Sequence, residues 1–118
     1  MDYNEYLDVA SAKDRFMGNE QMFKHFLYQL PERDLFQNLV DKLEEKNVEE
    51  AFAAAHTIKG LVGNLSLSGL GERVNPVVEA LRAGNLPSEE DQQLLKEEYE
   101  KAIAFIEKVK EQDLPLFS

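Results

Sequence analysis

Hydrophobic residues recur along this chain at intervals of three and four, the spacing that places side chains on one face of an α-helix. One such series runs over residues 22–30 and continues over 35–43. Asn19 stands where a helix N-cap is expected. Pro31 separates the two halves of the series and predicts either one kinked helix or two consecutive helices. No segment shows the two-residue alternation of a strand.

A third helix is marked by its start. Asn47 and Glu50 have the spacing of a capping box, with Asn in place of Ser or Thr. They predict a helix from Val48 to about Leu65.

The remaining pattern predicts two more helices. Residues 70–81 form an apolar series that ends before Gly84, a residue suited to the position after a helix. Pro76 lies inside this series, so the helix either begins late or bends there. Ser88 precedes three acidic residues, which favour a helix N-terminus, and the final series covers 94–109.

Four amphipathic segments joined by short connections predict an all-α fold, an antiparallel four-helix bundle. We expect a single domain over residues 1–118, with an N-terminal arm over 1–17 and the bundle over 18–112. Within the arm, residues 8–17 are expected to form a short helix that covers one end of the bundle.

The amino-acid composition excludes several classes of partner and site. The 118 residues include 13 Lys and Arg against 23 Asp and Glu, a formal net charge of −10. A protein with this much negative charge repels phosphate backbones and anionic lipid. Nucleic acid and membrane surfaces are therefore not expected partners. The absence of cysteine excludes disulfides, thiolate catalysis and cysteine metal sites. Neither a secretory signal nor a membrane-spanning stretch is apparent, so we expect a cytoplasmic protein.

The helix that begins at Val48 has an unusual outer face. At about 100° per residue, His56 points away from the core side. The residues expected on the core side are Ala51, Ala54, Ile58, Leu61, Val62 and Leu65. The residues expected beside His56 are Glu49, Phe52, Ala53, Lys59, Gly60 and Gly63.

Two glycines on this outer face give it a predicted role. Gly60 and Gly63 follow His56 by one and two turns, and each costs the helix about 1 kcal/mol relative to Ala. Such a cost makes sense if another molecule must approach the imidazole. Imidazole is largely the free nucleophile at neutral pH, and the Lys59 ammonium can offset arriving negative charge. The pattern therefore predicts a site where another protein places a phosphoryl group on His56, with no metal and no cofactor of its own.

The segment from His56 to Leu65, HTIKGLVGNL, resembles the signature of histidine-containing phosphotransfer (HPt) domains of multistep two-component phosphorelays. The resemblance extends from about Phe16 to Val109. It implies that Nε2 of the His accepts a phosphoryl group from a receiver-domain Asp and passes it to the Asp of a response regulator. It also implies that the receiver supplies Mg²⁺ and most of the catalytic machinery, so that the chain is a phosphocarrier and not an enzyme.

Carried over by position, the resemblance makes His56 the phosphorylated residue and Lys59 the cation that stabilises its charge. Gly60 and Gly63 are then the small residues that permit docking of a receiver domain. The docking face as a whole is expected to comprise Glu49, Phe52, Ala53, Gly60, Gly63, Asn64 and Leu67.

The sequence departs from the family pattern at three nearby positions. Leu61 stands where Ser or Ala is common, Ser66 where Gly is common, and Leu67 where Ala is common. By the angular count Leu61 faces the core, so it should affect packing more than phosphotransfer. Leu67 falls near the His56 face if the helix continues that far, where it could tune the choice of partner.

The sequence also allows three other functions to be compared with phosphotransfer. An HPt-like module could bind a receiver without accepting phosphate, although the presence of both His56 and Lys59 favours the carrier. A histidine-kinase dimerisation helix is disfavoured because Lys59 and its neighbours do not match that motif and the chain has no room for an ATP-binding domain. A carboxylate-bridged metal bundle needs Glu three residues before His, and Met22 and Ala53 stand there. We expect a monomer, because a self-associated His56 face could not dock a receiver.

Overall fold

The computed structural model describes residues 5–117, and every regular element in that range is helical. One turn of 3-10 helix, Leu30–Glu32, separates the second and third α-helices. The α-helices of the described range are α1 (Val9–Arg15), α2 (Glu20–Leu27), α3 (Leu35–Glu44), α4 (Val48–Asn64), α5 (Ser68–Arg82) and α6 (Glu89–Gln112). None of them is long and apolar enough to cross a membrane.

The predicted helix starts are confirmed by their capping hydrogen bonds. The side chain of Asn19 accepts the backbone N–H of Met22 at 3.0 Å, and that of Asn47 accepts the N–H of Glu50 at 3.1 Å. Ser88 caps α6 in the same way, because its hydroxyl accepts the backbone N–H of Asp91 at 3.1 Å. Each bond satisfies a first-turn donor that has no partner inside its helix.

The two helical prolines behave differently. Pro31 lies in the 3-10 turn, so the first apolar series forms two consecutive helices and not a single kinked one. Pro76 lies inside α5, which begins at Ser68, before the predicted apolar series. The late start considered for this helix is therefore wrong. Gly84 has φ +87° just after α5, as expected for the residue that follows a helix.

The expected helical bundle is confirmed. Helix α3 packs on α4, α4 on α5, and α5 on α6. The N-terminal arm closes one end: Leu7 is fully buried, and the Tyr6 ring stacks on Phe105 at 4.8 Å. Helix α1 falls within the segment predicted to form a short helix there. Residues 1–4 of the predicted arm lie outside the described residues.

A buried lysine ties the C-terminal segment to α2. Lys24 is buried, and its ammonium contacts the carboxylates of Glu20 and Asp113 at 3.2 Å each. The second oxygen of Glu20, Oε1, accepts the backbone N–H groups of Leu116 at 2.9 Å and Phe117 at 2.6 Å. This network satisfies the buried charge and holds two apolar residues against the core.

The network predicts an acid-sensitive contribution to stability. Burial alone would raise the pKa of Glu20, but hydrogen bonds from Phe117, Leu116 and Lys24 outweigh it and hold the pKa below its usual value. A carboxyl group with a lowered native pKa stabilises the fold above its ordinary pKa, and the contribution is lost as the pH falls through the native pKa. At neutral pH, Glu20→Gln should therefore lower the free energy of unfolding by about 1–3 kcal/mol.

Denaturant unfolding over a series of pH values checks this. The difference between the wild type and Glu20→Gln should shrink as the pH falls through the native pKa of Glu20. Glu100→Gln, which removes an exposed carboxylate from α6, should change stability little at any pH. If the difference in unfolding free energy between the wild type and Glu20→Gln stayed constant across the acid range, the ionic role of Glu20 would be contradicted.

Candidate functional site

Helix α4 separates a buried face from an exposed one. His56 lies near the middle of α4 with its side chain exposed. The residues that anchor the opposite side in the core are Ala51, Ala54, Ala55, Ile58 and Val62. The packing of small and β-branched side chains on one side thus sets the direction in which the imidazole points.

Most residues of the predicted docking face do share this exposed side. Phe52 and Lys59 are half-buried there, since each packs partly along the surface toward α5. The exposed members are Glu49, Ala53, His56, Gly60, Gly63 and Asn64.

Leu67 does not belong to this face, and its assignment to the docking surface is wrong. Helix α4 ends at Asn64, and Ser66 turns the chain with φ +56°. The N–H of Leu67 donates to the carbonyl of Val62 at 3.0 Å, a Schellman-type closure that directs the Leu67 side chain into the core, where it is 1% exposed. The prediction depended on the helix continuing, and it does not continue.

Ser66 occupies the left-handed position that Gly favours. Its hydroxyl lies 3.0 Å from the hydroxyl of Ser11 in α1. In addition, its carbonyl accepts the N–H of Asp8 at 2.9 Å. These contacts join the N-terminal arm to the α4–α5 turn, which gives the departure from glycine a structural reason.

Leu61 also differs from its expected place. It is half-buried and lines an open groove of about 380 Å³ between α4 and the α2 region. Met22 and Phe26, which belong to the predicted apolar series, are 49% and 46% exposed. The groove is lined by Phe16, Phe26, Gln29, Leu30, Arg33, Leu61, Asn64 and Leu65.

This groove adjoins the His56 face through Asn64 and was not predicted from the sequence. A signal was available, because Met22 and Phe26 are four residues apart and lie on one side of the stripe that Phe23 and Leu27 bury. When the apolar face of a helix is wider than the core surface that covers it, one edge of that face stays in solvent.

The two glycines of the site are not required by packing within the chain. A Cβ built on Gly60 or Gly63 would meet no heavy atom within 4 Å. Gly69 is a contrast, since a Cβ there would lie 2.8 Å from the carbonyl oxygen of Glu5. The surface next to His56 is therefore open, and backbone can be approached closely at both positions.

An aromatic ring packs beside the imidazole, and a second cation lies over that ring. The ring centroids of Phe52 and His56 are 5.7 Å apart, with planes inclined by 46°. The guanidinium carbon of Arg82 lies 5.2 Å from the centroid of the same Phe52 ring, within the range of a cation–π contact. Arg82 comes from the last turn of α5.

A carboxylate links the two cations of the site. Glu79 Oε1 lies 4.0 Å from Lys59 Nζ, and its Oε2 lies 3.4 Å from Arg82 Nε. Lys59 is predicted by the sequence, whereas Glu79 and Arg82 of α5 are not. Only the packing of α5 on α4 brings them to the site, and no local motif marks them.

The arrangement suits a transferred anion. An exposed imidazole supplies a nucleophilic nitrogen. The Lys59 ammonium, on the same helix, and the Arg82 guanidinium, over the neighbouring Phe52 ring, bring positive charge to this side of α4. Within residues 5–117, no group of three or more His, Asp or Glu side chains is placed to hold a metal ion.

Comparison with known protein families gives a match that includes helix α4. Residues 21–105 match a family model whose description is Hpt domain. No curated protein and no solved structure gives a significant match. The matched residues begin in the first turn of α2, end within α6 and contain the whole exposed face of α4.

Proposed function

We propose, since this chain belongs to the Hpt domain family, that it carries a phosphoryl group on His56 between receiver domains of a phosphorelay. Membership of the family implies histidine phosphotransfer, and Hpt domains are phosphocarriers and not enzymes. The observation that carries the assignment to His56 is its exposed position in the middle of α4, beside helix surface that glycine leaves bare.

The chemistry is a transfer between two nucleophiles. Nε2 of neutral His56 attacks the phosphorus of a receiver aspartyl phosphate and forms the N–P bond. The P–O bond breaks, and the aspartate carboxylate leaves with its electron pair. The ring proton stays on Nδ1, so the imidazole becomes positively charged. The return step to a second receiver reverses these changes.

Charge balance at the site supports this role. Lys59 and Arg82 bring two permanent positive charges toward the face on which the phosphoryl group would sit. Positive charges beside a phosphoryl group stabilise the negative charge that it carries. The Mg²⁺ that assists the transfer is proposed to come with the receiver domain.

The proposed docking face comprises the exposed side of α4 without Leu67. Gly60 and Gly63 let a receiver loop approach the helix, and Phe52 supplies an aromatic contact of the kind that transient interfaces favour. The apolar groove that contains Phe26 and Leu61 extends this face. The other members are Glu49, Ala53 and Asn64.

Several expectations stay predictions from the sequence. They are the single domain over 1–118, the monomeric state, the cytoplasmic location, and the lack of nucleic-acid and membrane partners.

Transfer from a receiver tests the proposed function. The protein is mixed with the labelled, phosphorylated receiver domain of a hybrid kinase and Mg²⁺. We expect label to move to this chain, to be labile in acid and stable in alkali as a phosphoramidate is, and to leave when a second receiver is added. Failure of a broad panel of charged receivers to label a chain that circular dichroism shows to be helical would favour a binding-only module.

A further inference from the structure

Glu79 places a negative charge among the cations of a site that is proposed to hold a phosphoryl dianion. We propose that Glu79 is a positioning residue that holds Lys59 and Arg82 in the unphosphorylated protein and competes with the phosphoryl group for them. This inference rests on the proposed function of His56. Its consequence is that phosphate is held less firmly and is passed on more readily.

The geometry places Glu79 between both cations. One carboxylate oxygen faces the Lys59 ammonium at 4.0 Å, and the other faces the Arg82 guanidinium at 3.4 Å. Arg82 is three residues after Glu79 on α5, whereas Lys59 reaches across from α4. The carboxylate therefore joins the two helices on the side where His56 is exposed.

The three side chains of this cluster are exposed enough for their ion pairs to be replaced by contacts with a phosphoryl group. The side chains of Lys59, Glu79 and Arg82 are 41%, 52% and 50% exposed. Ion pairs in such surroundings contribute little to stability and rearrange easily. A phosphoryl group on His56 can therefore draw the cations away from Glu79, at the cost of the two contacts that Glu79 makes.

Lys59 is linked to His56 through the shared helix, and Arg82 is linked to it through the Phe52 ring. Lys59 is three residues after His56 on the same helix, within side-chain reach. Arg82 lies over the Phe52 ring, which in turn contacts the imidazole. A carboxylate that fixes both cations thus sets how much positive charge the phosphorylated imidazole receives.

The charges of the cluster set the direction in which Glu79 shifts the phosphorylation equilibrium of His56. Two cations and one carboxylate leave a net charge of one at the cluster, whereas a phosphoryl group brings close to two negative charges. Without the Glu79 charge, two cations would be free to face the dianion. Removing that charge should therefore shift the equilibrium toward phosphorylated His56.

The test compares Glu79→Gln with Glu107→Gln. Glu107 is exposed on α6 and forms no ion pair within the described residues, so its substitution makes the same change in net charge elsewhere. The equilibrium constant for transfer from a receiver aspartate to His56 is measured for each. We expect an increase of about two- to fivefold for Glu79→Gln, the range for exposed ion pairs, and no change for Glu107→Gln. Glu79→Asp, which keeps the charge, should stay near the wild type.

A second measurement shows whether Glu79 acts through the cations. In a background that carries Lys59→Met and Arg82→Met, adding Glu79→Gln should produce no further shift. A shift of the same size in that background would mean direct repulsion of the phosphoryl group and would overturn the positioning role. The lifetime of phosphohistidine formed with phosphoramidate, without any receiver, should also lengthen in Glu79→Gln, which separates charge balance from docking.

The outcomes distinguish this inference from the proposed function. Equal equilibrium constants for wild type and Glu79→Gln, with His56 labelled in both, would overturn the role of Glu79 and leave the phosphocarrier intact. Absence of label on the wild type would overturn the proposed function and this inference with it.

Discussion

The His56→Gln variant is expected to accept no phosphoryl group, while its free energy of unfolding stays within about 0.5 kcal/mol of the wild type. A glutamine amide nitrogen has no free lone pair for attack on phosphorus, so acceptance should be lost altogether. Stability should be kept because the imidazole is exposed and its recorded ring contact is the one with Phe52. Labelling by a charged receiver and denaturant unfolding measure the two quantities on the same preparations.

His25→Gln is the matched control. His25 is the other histidine of the chain, is also exposed on a helix, and pairs with the side chain of Gln29 at 3.1 Å. This variant should accept phosphate as the wild type does. Label that persists in His56→Gln, or a loss of several kcal/mol of stability in that variant, would show that the functional face of α4 has been misplaced.

The second large effect is expected at Gly60. Gly60→Gln should slow transfer from a receiver by about tenfold or more, since a long side chain would cover the helix surface one turn from His56 and keep the receiver out of its reactive position. The same change should raise the free energy of unfolding by about 0.5 kcal/mol, because Gln has the higher helix propensity and a Cβ at Gly60 meets nothing within 4 Å. Transfer kinetics and thermal unfolding should therefore move in opposite directions.

Two controls separate docking from chemistry. Gly60→Ala adds only a methyl group, so it should stabilise α4 by up to about 1 kcal/mol with little effect on transfer. Phosphoramidate needs no docking surface, so it should label Gly60→Gln at close to the wild-type rate. Gly63→Gln repeats the comparison one turn further along. Unchanged transfer from the receiver to both glutamine variants would remove the glycines from the docking face.

The starts of α2, α4 and α6 could be predicted because capping is a local interaction. Asn19, Asn47 and Ser88 each bond to a backbone N–H three residues away, so the sequence contains both partners. The exposed position of His56 was predictable for a related reason. Within one helix, the 3.6-residue period relates every side chain to every other.

Predictions failed where the chain leaves one helix and meets another. Leu67 was placed beside His56 by extending α4, but the left-handed Ser66 ends that helix and the core takes up the leucine. Met22 and Phe26 belong to the predicted apolar series because they are apolar and suitably spaced, yet both remain about half exposed on the surface of α2. Periodicity identifies an apolar face but does not say how wide a partner surface will meet it.

By itself, the sequence determined the helices, the side of α4 on which His56 is exposed, and the bare helix surface at Gly60 and Gly63. All of these depend on interactions within a turn or two of the same helix. The tertiary structure alone decided that Glu79 and Arg82 of α5 would meet Lys59 and Phe52 of α4, and that Lys24 would be buried against the C-terminal segment. Such contacts join residues that are distant in the chain, and they arise from how the helices pack, which no local pattern encodes.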